Sequence, residues 1–262
     1  MLAIVKFGGS LITDKRKPFK VRTKVLKRLS SEIKNVLDEI KAKIVIVHGG
    51  GSFGHYVAFK HVGKGITSQG FIEIHDAMLR LNTIVLKYLR REGVLAETIH
   101  TSSAFTLDNG QIRIANIDVI KGMIDKGIIP VLYGDVVYDK SKGFVILSGD
   151  TLVAYLANAL DANMVVFTTN VYGIYKRYPP KKGSRDLIEL IDLRKFSLKP
   201  ELSKHLGYDV TGGMLFKLTE LKKYISCKRN MKIFIINGLR RDFLKNILLG
   251  RNVKFKTEIR VC

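Results

Sequence analysis

The sequence predicts an α/β fold built on a mostly parallel sheet with helices on both faces. Three observations carry this. Short, β-branched apolar runs alternate with helix-period segments along the whole chain. The runs are apolar throughout, as strands buried on both faces are. Glycine-rich or polar turns stand where several runs end, the position at which open α/β sheets bind ligands. With 262 residues, 46% of them hydrophobic, and a mean hydropathy of +0.08, the chain can bury a large core.

The elements follow in order. Leu2–Phe7 reads as the first strand, and Gly8 to Lys20 as a polar loop. Leu26, Leu29, Ile33, Val36, Leu37 and Ile40 recur at spacings of three and four, which predicts a helix near 22–41. Residues 43–47 form the second strand, and the turn His48-Gly49-Gly50-Gly51-Ser52-Phe53-Gly54-His55 closes it. A long helix is read over 69–92, with Ile72, Ile74, Met78, Leu81, Ile84, Val85 and Leu89 on its apolar side. Then come a strand at 94–99, a hairpin signal at Asp108-Asn109-Gly110, and a helix near 116–126 capped by Gly127. Strands at 128–133 and 136–138 flank Gly134-Asp135, and 138–148 is linker-like. The second half repeats the pattern: helix 150–160, strand 164–168, a Pro-, Gly- and Lys-rich loop from Tyr172 to Ser184, helix 213–226, strand 232–236, helix 240–249 and a strand near 253–259. The linker-like stretch is too short to separate independent domains. One domain, 1–262, is expected, with an N-terminal lobe to about 148 that carries the His-bearing glycine turn and a C-terminal lobe from about 149 that carries the second set of motifs.

Composition narrows the function classes. No apolar run approaches the roughly 20 residues of a membrane span. Met1 leads straight into the first strand, so a cytoplasmic protein without a signal peptide or membrane attachment is expected. Cys227 and Cys262 lack metal-site spacing and read as reduced structural residues. Forty-five Lys and Arg against 23 Asp and Glu give a net charge of +22 and a pI near 10.0. Such a charge attracts nucleic acid or small anions. The basic clusters (Lys15-Arg16-Lys17, Lys181-Lys182, Lys222-Lys223, Lys228-Arg229, Arg240-Arg241) are scattered and lack the interleaved aromatics of RNA-binding surfaces, which favours anionic small molecules.

Five turns carry candidate chemistry: Lys6-Phe7-Gly8-Gly9-Ser10 with Lys15 further along; Gly49 to His55; Ser148-Gly149-Asp150 at a helix start; Thr168 to Gly173; and Asp209 to Met214 with Lys217 one turn on. Glycines at a strand end bare backbone N–H groups to an anion, and a helix N-terminus favours one. Taken alone, Gly8-Gly9 is compatible with a plain turn and Lys6 with a lysine reaching solvent. Together the turns supply amides, three lysines and one aspartate without a Walker A or GxGxxG pattern, the groups that phosphoryl transfer between two anions requires.

The motifs KFGGS, HGGGSFGH, SGD and DVTGGM with its following lysine resemble those of the amino acid kinase superfamily, in the same order and over nearly the whole chain. The histidine closing HGGGSFGH, the early Lys15 and the chain length are most similar to the archaeal-type isopentenyl phosphate kinases. The resemblance implies a three-layer αβα sandwich, usually a homodimer, that phosphorylates isopentenyl phosphate, a prenyl phosphate, with ATP. It implies that Lys6 contacts the nucleotide phosphates and the transferring group, that Gly8, Gly9 and Ser10 donate backbone hydrogen bonds to the β- and γ-phosphates, and that Lys15 stabilises the transition state. It places Gly49 and Gly50 between the two phosphate sites, Gly54 and His55 on the acceptor phosphate, and Gly149 against substrate. Asp150 would position Lys6 and Lys217 through ion pairs, and Gly213 and Lys217 would bind nucleotide. The family often reads Thr-Asp-Val-Asp-Gly beside the nucleoside, where this chain has Thr169-Asn170-Val171-Tyr172-Gly173. Asn170 still offers a hydrogen bond, so the departure bears on nucleotide preference rather than on chemistry.

A phosphate acceptor is already ionised at neutral pH and needs no general base, which agrees with the lack of a carboxylate beside the acceptor turn. No carboxylate cluster forms a protein metal site, so Mg2+ is expected to ride on the nucleotide phosphates. The tail needs an apolar pocket. Phe71, Ile74, Met78 and Leu81 are the candidates, each also explained as plain core. His48 reads as buried and structural; His61, His75, His100 and His205 as surface or core; Asp14 as a turn or cap; and Asp135 as a turn residue or secondary contact. Two alternatives stand beside the isopentenyl phosphate reading. One is a family member acting on a carboxylate, carbamate, nucleoside monophosphate or phosphonate; the other is a non-catalytic nucleotide- or RNA-binding protein.

Overall fold

The structure, a computed structural model, describes residues 1–61, 63, 65–176, 186–195, 213–225 and 231–261. β1 (Leu2–Phe7) passes through a single-turn helix, α1 (Gly9–Ile12), and a loop to α2 (Thr23–Glu39) and β2 (Lys43–His48). Next are α3 (Gly51–His61), α4 (Ser68–Arg91), β3 (Ala96–Thr98), α5 (Thr101–Ala104), β4 (Phe105–Asp108), β5 (Gln111–Ala115) and α6 (Ile117–Asp125). β6 (Ile129–Tyr133), β7 (Asp135–Asp139) and β8 (Gly143–Leu147) lead to α7 (Gly149–Ala159) and β9 (Met164–Thr169). The remaining described elements are β10 (Ile174–Tyr175), β11 (Leu187–Ile188), β12 (Leu190–Asp192), α8 (Gly213–Tyr224), β13 (Lys232–Asn237), α9 (Phe243–Leu248) and β14 (Lys256–Arg260).

Eight strands form the main sheet in the order β12-β14-β13-β9-β1-β2-β6-β3. Every neighbouring pair is parallel except β13 with β14. β1 lies between β9 and β2, so the turns after these three strands emerge side by side. The strands feed two cores, one on each face. Ala3, Val5, Phe7, Ile44 and Ile46 pack with α2, α3, α4 and α9, whereas Ile4, Val45 and Val47 pack with α6, α7 and α8. Period-two alternation of wholly apolar strands thus generates the helix–sheet–helix sandwich.

The helical stripes read from sequence face inward: Leu26, Leu29, Ile33 and Val36 of α2, and Ile74, Met78, Leu81, Val85 and Leu89 of α4, are buried. Ile72, read into the same stripe, is exposed. Asn109 (φ 49°) and Gly110 (φ 75°) make the hairpin turn, and Gly127 (φ 76°) follows α6. Two readings are corrected. The glycine turn after β2 opens at once into α3, which carries Gly54 and His55; its glycines hid the helix from propensity reasoning. The stretch at 138–148 is no linker. Its residues build the β7–β8 hairpin, in register from Asp135↔Leu147 to Asp139↔Gly143, within a second sheet of order β5-β4-β7-β8. The short elements α1, α5 and β10–β12 were not foreseen. Residues 177–184 of the expected loop, Lys181-Lys182, Asp209 to Gly212, His205, Ser226, Lys228-Arg229, Cys227 and Cys262 lie outside the described residues.

Candidate active site

The turns after β1 and β2 touch backbone to backbone. A Cβ on Gly9 would lie 2.8 Å from Gly51 Cα, and Gly51 itself holds φ +50° against the Thr13 side chain. Only glycine permits both the approach and that backbone conformation. Thr13, fully buried, fastens the contact: its hydroxyl donates to Gly9 O at 2.7 Å and accepts from Ser52 N at 2.8 Å. Gly8 N donates to Thr168 O at 3.0 Å, and Gly49 N to Phe7 O at 3.0 Å, so each turn prolongs the sheet's hydrogen bonding. The Gly8 N–H, expected to face phosphate, is bonded to β9 in this structure, and Gly8 lines the cavity. Gly49 is likewise a frame residue, and Gly54 N is committed to Gly50 O at 3.0 Å. The Gly9 and Ser10 N–H groups sit in the first turn of α1, where a helix has no internal acceptor for them.

Beneath the turns lies a charged centre. Lys6 on β1 and Asp150 in the first turn of α7 are both buried, with Nζ 2.6 Å from Oδ1. Lys217 of α8 reaches the other carboxylate oxygen at 3.3 Å, and the Gly213 carbonyl at 3.4 Å. Burial alone would raise the Asp150 carboxyl pKa, but the charges of Lys217 and Lys6 and their hydrogen bonds outweigh it and hold the group below its usual range. Ser148 caps α7 by accepting from Thr151 N at 3.0 Å, which fixes where Asp150 points.

A cavity of about 350 Å³ opens over this centre. Lys6, Gly8, Gly9, Ser10, Lys15, Gly49, Gly50, Gly54, His55, Gly149, Asp150 and Lys217 all line it, although they come from separated stretches of the chain. Asn170, at the exposed end of β9, and Gly213, at the start of α8, are not among its lining residues. In place of the second acidic residue expected there, the Tyr172 hydroxyl accepts from Arg240 Nε at 2.6 Å. The wall also carries apolar side chains: Ala58, Ile66, Ile74, Met78, Phe144 and Ile146. Of the expected tail residues, Ile74 and Met78 reach the cavity. Phe71 packs behind it on Phe144, ring centroids 4.8 Å apart, and Leu81 belongs to the core. A Cβ on Gly54 would lie 2.5 Å from Met78 Sδ, so the thioether lies directly against the first turn of α3.

Sequence reasoning passed over two features. Thr13 is one; its partner lies 39 residues on, and nothing local marks it. Phe144 and Ile146 are the other, hidden in the stretch read as linker. Asp135, read as a turn residue or a secondary contact, lines the cavity with a fully buried side chain, 2.7 Å from Nδ1 of His75. The hydrogen bond to Asp135 raises the His75 pKa. His48 is as expected. It is fully buried, contacts Asn82 Oδ1 at 3.2 Å and stacks on Tyr133; burial pulls its pKa down to about 4. Asp14 pairs with Arg16 in the loop after α1.

Residues 1–237 match the family model described as the amino acid kinase family. The chain is 36% identical to the isopentenyl phosphate kinase of Methanocaldococcus jannaschii over 263 aligned residues, covering 95% of this chain and 96% of that one. It is 32% identical to the isopentenyl phosphate kinase of Methanothermobacter thermautotrophicus, with 97% of each chain covered. A solved isopentenyl phosphate kinase structure superposes with a TM-score of 0.83 at 30% identity, covering 99% of this chain and all of the other.

Proposed function

The chain belongs to the amino acid kinase family, and we infer that it transfers the terminal phosphoryl group of ATP to isopentenyl phosphate, giving isopentenyl diphosphate for isoprenoid biosynthesis. The observation that supports this reading is one cavity whose wall combines Lys6, Lys15, Lys217, His55 and the glycine turns with an apolar sleeve of Ala58, Ile66, Ile74, Met78, Phe144 and Ile146. A carboxylate or carbamate acceptor has no use for the sleeve.

The acceptor oxygen is ionised before it binds, so the site needs no base; its task is to hold two polyanions in line. Each like-charge pair 4 Å apart costs about 4 kcal/mol at the effective dielectric of a partly buried site. Lys6 and Lys217, fixed in advance by Asp150, hold cationic charge where the phosphoryl group passes, with no reorganisation at the moment of reaction. Lys15 closes on the same group from the loop after α1. Gly9 and Ser10 give their first-turn N–H groups to the nucleotide phosphates, with Gly50 beside them. His55 donates to the acceptor phosphate, Gly54 keeps the backbone clear of it, and Gly149 leaves room beside Lys6. Asn170 and Gly213 serve the nucleoside side. The C-terminal lobe, from about residue 149, therefore takes nucleotide and the N-terminal lobe takes acceptor. Mg2+ enters this reading on the nucleotide, where it would offset phosphate charge; Asp150, the carboxylate beside Lys6, is engaged by two lysines. A cytoplasmic homodimer completes the proposal, on the strength of the family likeness; sedimentation would give twice the 29.5 kDa chain mass.

Incubation with ATP and isopentenyl phosphate, followed by phosphorus NMR, should yield ADP and a prenyl diphosphate in equal amounts. His55→Ala should lower kcat/KM for isopentenyl phosphate tenfold or more, about 1.4 kcal/mol. An unchanged value would remove His55 from the acceptor site.

A further inference from the structure

We propose that Phe19 is the positioning residue for Lys15: it docks the loop that carries Lys15 onto α3, the helix that holds the acceptor. The inference rests on the role given to Lys15 above. The loop leaves and rejoins the fold at Thr13 and Val21, which bridge as antiparallel partners. Asp14 N donates to Lys20 O at 2.8 Å and Arg22 N to Ile12 O at 2.8 Å, so its base is closed. Its far wall is tied to Ser52, the second residue of α3. Phe19 N donates to Ser52 O at 3.2 Å, and Lys20 N to Ser52 Oγ at 3.3 Å.

Phe19 stands out within this loop. It holds φ +54°, a left-handed conformation that a bulky residue avoids and keeps only when its surroundings enforce it. That backbone turns its ring onto α3, edge-on to Phe53 (centroids 5.4 Å, 85°) and to Tyr56 (5.6 Å, 78°). Phe53 and Tyr56 are the residues that flank Gly54-His55. Beside the Ser52 bonds, the Phe19 ring therefore joins the acceptor helix to the loop of Lys15, which lines the cavity four residues earlier. Phe19 remains 43% exposed, so its ring covers little of the core and global stability does not explain the strained backbone. The ring sets the distance between the cation that meets the transferring group and the helix that holds its acceptor.

The experiment compares Phe19→Ala, Phe19→Tyr, Lys15→Ala and the Phe19→Ala/Lys15→Ala double variant. Phe19→Ala should lower kcat about tenfold while KM for both substrates stays within about threefold, and Phe19→Tyr should restore the rate. In the Lys15→Ala background, Phe19→Ala should cost nothing further, because the two act as one unit. A readout without turnover accompanies these. Trypsin should cut after Lys15 and Arg16 several-fold faster in Phe19→Ala than in the wild type, with the melting temperature unchanged. If Lys15→Ala is impaired but Phe19→Ala is not, or if the two losses multiply, the positioning role is overturned and the reading of Lys15 stands. If Lys15→Ala is fully active, that reading falls and the positioning role with it. Equal cleavage of both proteins overturns the docking, whatever the protein phosphorylates.

Discussion

Asp150 is where two of the site's lysines meet, and its behaviour follows from burial together with their charges. Asp150→Asn leaves Lys6 and Lys217 facing each other without a counter-charge. That should cost about 3 kcal/mol of stability in denaturant melts and lower kcat by about two orders of magnitude in steady-state assays. His48 gives a separate signature. Its folded pKa near 4 lies below the ordinary 6.5, so the folded chain refuses a proton that the unfolded chain accepts. Its contribution is intact above pH 6.5 and is lost as the pH falls toward 4, up to about 3 kcal/mol. Melts at pH 7 and pH 4.5 should show the drop, and His48→Asn should flatten it. The Asp150 pKa is lowered, so its contribution fades only as the pH falls below the usual carboxylate value of 3.8, outside that window. The cavity residues most legible in sequence were those with unusual local chemistry, such as Lys6, His55 and Asp150. Thr13 was not legible, because it is defined by a partner 39 positions away, Ser52, and the pairing of Asp135 with His75 was hidden for the same reason.

The meeting of the α1 and α3 turns controls the next scale. Gly9→Ala would push a methyl into the Gly51 backbone, which cannot retreat while Thr13 holds it. Activity should fall at least about 100-fold, and stability by about 2 kcal/mol, checked by kinetics and melts on one preparation. Gly122, on the exposed face of α6, is the control, since a Cβ added there would meet nothing within 4 Å. Gly122→Ala should stabilise by up to about 1 kcal/mol and leave the rate alone. Met78 lies against Gly54 and lines the cavity, where the proposed prenyl tail would bind. Met78→Ala should cost about 3 kcal/mol and raise relative turnover of longer prenyl phosphates, read from an acceptor-length series. Strands and long helices were legible because each carries its own period. The α3 helix was hidden by Gly51 and Gly54, which propensity counts against a helix and which close packing on Gly9 and Met78 requires. The β7–β8 hairpin was hidden by its polar connection, Lys140-Ser141-Lys142, which made the stretch read as a linker although both strands are largely covered.

Across the whole molecule, a formal charge of +22 meets substrates that are all polyanions. kcat/KM should fall several-fold between about 0.05 M and 0.5 M salt, with kcat nearly constant, because screening weakens capture rather than chemistry. Tight, steeply salt-dependent RNA binding would instead revive the nucleic-acid alternative. The sandwich itself was legible from the alternation of apolar strands and amphipathic helices. The meeting of distant turns at one cavity was legible only through motif order, since no single turn names its neighbours. The central claim is that this cavity selects a phosphate acceptor with an apolar tail. The most direct test measures kcat/KM with ATP for isopentenyl phosphate, carbamate, glutamate and UMP on one preparation. Isopentenyl phosphate should exceed every other acceptor by at least about 100-fold, a difference of roughly 2.7 kcal/mol. A carboxylate, carbamate or nucleotide acceptor that equals or surpasses it would contradict that claim.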